Sequence, residues 1–267
     1  MLVSLTFDDG NRVQHTSYFP VLKEYGTKAT FYVVTQWIGQ PGRLNWNDLE
    51  ELYDHGNEIG SHTLTHPHLM ELSENDLDFE LAGSLAALRR FGCTTLAYPF
   101  GEYNQEVINC AKKYYSAARG YFVTGFDCHP ASDGGSPYVL KGLPTEDLFP
   151  FRQPACSLLN LSLPDFKKAV TAFFGNEGEQ SDNKWVILVF HGQAAIHQVL
   201  RYTFHKQTQL KYVLGPEHAR RLLAYGYYVR MDSLKFRWMC EYLSNAKNIE
   251  VVAVQDGAAR LRRQRQD

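Results

Sequence analysis

No stretch of this chain stays apolar for about 18 residues, so no membrane-spanning helix is expected. Cys-x-x-Cys is missing as well. The five cysteines, at 93, 110, 128, 156 and 240, are odd in number and widely scattered. That spacing excludes a disulfide framework or a zinc knuckle and reads as free thiols in a reducing compartment. Neither sign of charge dominates: the net is -2 over 267 residues, so no nucleic-acid or membrane-surface partner is expected. No signal-peptide pattern precedes the first strand-like run, which makes a cytoplasmic location the expectation. No internal repeat and no linker stand out. The chain reads as one domain over 1–267, with irregular insertions around 126–183 and 192–215.

What is present is an alternation of strand-like and helix-like segments. Leu2 to Phe7 is an apolar strand ending at Asp8-Asp9-Gly10. Thr16 to Tyr25 reads as a helix stopped by Gly26, Ala29 to Val34 as a β-branched and aromatic strand, and Trp46 to His55 as a helix. Asn57 to Ser61 is a short strand at best. Ser73 and Asp76 have capping-box spacing ahead of a Leu77, Leu81, Leu85, Leu88 stripe. Thr95 to Tyr98 is a strand, and Val107, Ala111 and Tyr114 line the next helix. From 126 to 183, Pro, Gly, Ser and Asp indicate long loops with a strand or two. Trp185 to Phe190 is a strongly apolar strand. Beyond it come a helix over Pro216 to Tyr225, a strand at Tyr227 to Val229, a helix over Ser233 to Leu243 packing through Leu234, Trp238 and Tyr242, a strand over Ile249 to Val254, and a basic helical tail. Such alternation implies a parallel sheet, either doubly wound or closed into a barrel.

Four groups of residues carry chemistry. Adjacent Asp8 and Asp9 repel each other unless a cation absorbs the charge, which suggests that one binds a metal while the other handles a proton. Asp-Asp-Gly is equally an ordinary turn. His62 and His66, four apart, share a face on a helical turn or a strand; with a carboxylate from another strand they make a usual metal set, and otherwise they are surface polar residues. His68 has no second feature supporting it. In Tyr98-Pro99-Phe100-Gly101-Glu102-Tyr103, Pro and Gly fix a backbone whose amide could face an oxyanion. His191 ends the apolar strand, where a barrel keeps catalytic residues, and suits a general acid; a satisfied core histidine is the alternative.

Thr-Phe-Asp-Asp-Gly, His-Thr-x-x-His-Pro, Tyr-Pro-Phe-Gly and Leu-Val-x-His follow one another on strand ends. Together they resemble the polysaccharide deacetylase family, the carbohydrate esterases that share the NodB homology domain. The resemblance covers roughly 2–125 and 185–255. It implies an α/β fold, a distorted and partly irregular (β/α) barrel of about seven strands. It also implies hydrolysis of an N-acetyl amide on an amino sugar, with an N-acetylated saccharide as partner. Asp9, His62 and His66 would hold a divalent metal, usually Zn2+; Asp8 would be the base and His191 the acid. The backbone N–H of Phe100 or its neighbour would meet the oxyanion, with Phe100, Gly101 and Tyr103 against the substrate. Two features depart from the family. Ala97 stands where the third motif often carries Arg, and no Asp-Trp fourth motif occurs in 105–185. Arg119, at the end of the next expected strand, is the candidate substitute that could reach Asp8; an ordinary surface Arg is the alternative. Asp127 is a candidate partner for His191. Glu102, Tyr103, Trp37 and Phe126 are candidates for a sugar subsite. Two other activities remain open: C–N hydrolysis of a non-sugar amide or cyclic imide on the same scaffold, and a carbohydrate-binding relative that has lost catalysis. Arg260 to Arg265 complements its helix dipole and reads as a solvated end.

Overall fold

The structure, a computed structural model, describes residues 1–121, 136–144, 163–174, 185–191 and 234–263. Eight parallel strands form its sheet: β1 (Leu2–Asp8), β2 (Thr30–Val33), β3 (Glu58–Ser61), β4 (Thr95–Ala97), β5 (Ala117–Tyr121), β6 (Leu140–Pro144), β7 (Trp185–His191) and β8 (Glu250–Val251). Seven of them close a ring, because β7 pairs with all seven residues of β1 while β2 pairs with Thr6 and Phe7 of the same strand. β8 takes the remaining stretch of that edge, at Leu2 and Val3. The barrel is therefore closed but irregular, with β3 and β4 meeting at the single pair Ser61 and Leu96.

The helices are α1 (Phe19–Tyr25), α2 (Trp46–Asp54), α3 (Glu74–Ala87), α4 (Gln105–Tyr114), α5 (Leu163–Phe174), α6 (234–245) and α7 (Val254–Arg263). Their ends follow local chemistry. Gly26 closes α1 at φ +62, Asn45 and Asp48 cap α2 reciprocally, and the Ser73 hydroxyl accepts from the Asp76 N–H at 3.2 Å. Among the described residues, no helix is long and apolar enough to cross a membrane.

Alternation along the strands divides the apolar residues into two cores. Val3, Leu5 and Phe7 of β1 belong to the outer one with Phe31, Ile59, Leu96, Leu188 and Phe190, and this core packs against the helices. Phe7 stacks on Phe31 at 4.9 Å and on Phe190 at 5.2 Å, geometry worth about 0.5–1.5 kcal/mol per pair beyond burial. The inner core holds Tyr32, Ala97, Ala117, Leu140, Trp185 and Ile187, closed off by Val254 and Ala258 of α7. Gly60 makes room there, since a Cβ on it would lie 2.5 Å from the Tyr32 ring. The same parity puts Asp8, Arg119 and His191 with the inward set.

Several expectations shift in detail. α1 is preceded by a π-helical turn over Gln14–Tyr18. α4 buries Val107, Cys110 and Ala111, with Tyr114 at the edge of the core. α6 packs through Phe236, Met239, Cys240 and Leu243, while Leu234 is 51% exposed and Trp238 and Tyr242 stack on its flank. The final strand is only Glu250–Val251, because Val252 and Ala253 turn inward and Val254 already begins α7. α5 stands where only loops and a strand or two were expected. The helix over 216–225, the strand at 227–229, the insertion over 192–215, Phe126 and Asp127 lie outside the described residues.

Candidate functional site

β1 delivers Asp8 to the C-terminal mouth of the barrel, and its register pairs Asp8 directly with His191, the last residue of β7. His62 follows β3 and extends its ladder by donating its N–H to the Val33 carbonyl at 2.9 Å. Asp9 and His66 lie past the strand ends. Both have left-handed backbones, at φ +71 and +68, as do Thr63 at +68 and Phe100 at +58. These are all the non-glycine residues with positive φ among the described residues, and all four lie in this mouth. Such conformations cost on the order of 1–3 kcal/mol each and persist only where the surroundings impose them, most often at functional sites.

The three donors expected for a metal converge. Asp9 Oδ1 is 3.7 Å from Nε2 of His62 and 3.7 Å from Nε2 of His66, and one ligand atom from each lies within 4.8 Å of the others. Two bonds of about 2.1 Å at a tetrahedral angle would place their donor atoms about 3.4 Å apart, so the set fits a divalent ion with little adjustment. Two imidazoles and one carboxylate suit zinc and its neighbours. His62 turns Nδ1 to the Ala97 carbonyl at 2.8 Å, which assigns that nitrogen as the N–H donor and leaves Nε2 with its lone pair toward Asp9. Burial lowers the pKa of His62; burial and the neighbouring His62 lower His66 to about 4. Both rings are accordingly neutral near pH 7, the form a metal needs.

Asp8 is fully buried and ion-paired through Oδ1 with Arg119, which is also fully buried. Burial alone would raise this carboxyl, but Arg119, His62 and His191 outweigh it and hold the pKa at about 2. Oδ2 lies 3.9 Å from Nε2 of His191, whose side chain is one-third exposed. Arg119 projects from the middle of β5, and its guanidinium carbon sits 4.8 Å from the Tyr32 ring centroid. The surface alternative for Arg119 is thereby removed.

Around the donors, Phe100 is 45% exposed and packs edge-on to His66 at 4.6 Å. His68 stacks on Phe100 at 3.9 Å and pairs with Glu102 at 2.9 Å. Gly101 donates its N–H to the Tyr98 carbonyl at 3.0 Å, inside the turn. Tyr103 packs against Tyr98 at 5.0 Å and beneath Gly120. Trp37 stacks on His66 at 5.3 Å.

Two contributors went unread in the sequence. The carboxylate of Glu80, on α3, accepts from the N–H groups of Leu64 and Thr65 and from the Thr65 hydroxyl, so it pins the loop bearing His66. A charge on the inward face between Leu77, Leu81 and Ser84 was the available signal. Arg43, in a Gly-Gln-Pro-Gly-Arg turn, donates to the Asp9 carbonyl at 3.0 Å; nothing in that turn announces it.

Residues 1–117 match the profile of the family described as polysaccharide deacetylase. A stretch of 114 residues, 42% of this chain and 41% of the relative, is 35% identical to YxkH of Bacillus subtilis strain 168. Another of 109 residues, 39% of this chain and 22% of the relative, is 31% identical to the peptidoglycan-N-acetylglucosamine deacetylase PgdA of Listeria monocytogenes. The chain thus spans less than half the length of these two relatives. Peptidoglycan deacetylase PdaC from Bacillus subtilis shares the fold, with a TM-score of 0.52 at 17% identity, over 99% of this chain and 93% of that one. Profile, relatives and motif-bearing strand ends agree: residues 1–117 belong to the polysaccharide deacetylase family.

Proposed function

We propose that the chain is a metal-dependent hydrolase that cleaves the N-acetyl amide of an amino sugar, releasing acetate and the free amine. The observation that carries this reading is the convergence of Asp9, His62 and His66 beside a carboxylate, Asp8, that is kept ionised. Peptidoglycan-N-acetylglucosamine as the substrate of a family relative supports an amino-sugar amide here. So does an exposed aromatic face, Phe100, next to His66.

Asp9, His62 and His66 would hold the ion, with zinc the first choice. When bound, it would supply Lewis acidity at the carbonyl and lower the pKa of a water. Asp8, anionic throughout the neutral range, accepts the proton that the attacking water gives up. Arg119 keeps that carboxylate charged and aims it, so that Oδ2 faces the mouth. With Gly101 committed inside its turn, the Phe100 N–H is the backbone donor for the carbonyl oxygen as it gains charge. His191 supplies a proton to the departing nitrogen while the C–N bond breaks. Water's oxygen ends on acetate and, over the full turnover, its two hydrogens are accounted for on the nitrogen, which leaves as the ammonium form of the amine, so the reaction balances.

The decisive test is Asp8→Asn with metal content measured. A fall of about 10²–10⁴-fold in deacetylation of N-acetylated oligosaccharides is expected with the ion retained. Activity within a few-fold of wild type would reject Asp8 as the base. Turnover of small non-sugar amides in preference to the oligosaccharides would redirect the substrate class.

A further inference from the structure

We infer that Arg43 and Trp37 are positioning residues that lock Asp9 and His66 onto His62; the inference rests on the metal reading above. The three donors are not supported alike. His62 is carried by the sheet through the Val33 carbonyl and by its ring bond to Ala97. Asp9 and His66 lie beyond strand ends on left-handed backbones; His66 donates its N–H to Thr63 Oγ1 at 3.0 Å within its own loop, and contacts from other segments hold both residues further.

One loop, residues 34–45 between β2 and α2, reaches both. From it, Nη1 of Arg43 donates to the carbonyl of Asp9 and to Oδ1 of Asn11, each at 3.0 Å. The Leu44 N–H donates to the Gly10 carbonyl at 2.8 Å, and the Arg12 N–H to the Gly42 carbonyl at 2.9 Å. The turn carrying Asp9 is thereby stitched to this loop at several points. The Arg43 guanidinium also lies 4.0 Å from the Trp37 ring centroid, and the same indole stacks on the His66 imidazole at 5.3 Å and 29°. Arg43 is thus one contact from Asp9 and two from His66, and a shift of either donor is resisted through the other. A planar guanidinium can bond two oxygens and lie on an indole at once; a lysine ammonium cannot do both. The half-buried cation also stands near the Asp9 carboxylate, where screening is weaker than in open water.

A purely architectural role would lower stability and leave ion binding as it was. Co2+ titration of the full chain, followed by visible absorption and chelator competition, separates the two. Arg43→Met and Trp37→Leu are expected to weaken Co2+ binding about 10–100-fold, as loss of groups that orient ligands does, and to shift the d–d bands. Trp37→Phe, which keeps an aromatic face, should return to within a few-fold of wild type, with Arg43→Lys between the two. Co2+ binding within twofold of wild type and unchanged bands in both Arg43→Met and Trp37→Leu would overturn the inference. Should Arg43→Met fail to fold, the two Trp37 variants decide it by the same criterion. If wild type shows no Co2+ bands and Asp9→Ala behaves identically, the metal reading itself falls, an outcome distinct from bound metal that ignores Arg43.

Discussion

Asp8 and Glu58 are both buried carboxylates on inward strand positions, Asp8 at the C-terminal end of β1 and Glu58 at the N-terminal end of β3. Asp8 faces a guanidinium and two imidazoles, and its pKa falls to about 2. Glu58 faces the hydroxyls of Thr30 and Thr95 and the N–H of Gln255 at the start of α7. Burial prevails there, and the pKa of Glu58 is raised. Depth is the same at both places; the presence of a cation decides the direction of the pKa shift. One end of the barrel therefore holds a buried anion, while the other uses a carboxyl group as a hydrogen-bonding clasp for α7.

The contrast can be broken experimentally. The largest effect belongs to Asp8→Asn, with its loss of about 10²–10⁴-fold in activity at unchanged metal content; Glu58→Gln should leave turnover within a few-fold. Next is Arg119→Met, which strands the Asp8 charge in the interior. A stability loss of about 3–5 kcal/mol in urea unfolding is expected, with the acid limb of the pH–activity profile moved upward. Third is the pH dependence of the metal-free protein. Asp8 has a lower pKa folded than unfolded, so its contribution of about 2 kcal/mol is complete above pH 3.8 and vanishes as pH falls through about 2. Urea midpoints between pH 4 and pH 2 should show that loss in wild type and not in Asp8→Asn. The smallest effect has the opposite sign. Glu58 has a raised folded pKa, so its contribution is complete below the unfolded value of 4.5 and declines as pH rises. Glu58→Gln, with the donor pattern nearly preserved, should differ from wild type by no more than about 1 kcal/mol, and more in its own favour at pH 7 than at pH 4.

The sequence made the barrel and the convergence of Asp9, His62 and His66 legible because their motifs sit at the ends of recognisable strands. Period-2 alternation turns Asp8 and His191 inward at strand ends. His66 comes near His62 not on a shared helical or strand face, as the four-residue spacing suggests, but through a loop in which Thr63 and His66 are left-handed. Arg119 was readable only as a candidate, since its meeting with Asp8 depends on which strands close the ring. Arg43 and Glu80 act across loops on backbone atoms of other segments, and such contacts leave no spacing pattern. α5 was missed because Pro164 and the loop-like composition before it masked the helical interval between Val170 and Phe174, both buried. The last strand was overextended because Val252, Ala253 and Val254 are β-branched or small in either conformation; the hydroxyls of Ser4 and Thr30 recruit that segment to the barrel floor instead.

Two of the three partners of β1, β7 and β8, follow it far along the chain: Leu2 pairs with Trp185 and with Glu250. The ring cannot close, nor Asp8 meet His191, until β7 has been made through residue 191. Assembly of the Asp8–His191 pair thus waits on a pairing between distant segments, and such pairings make folding slow compared with a helical bundle of equal length.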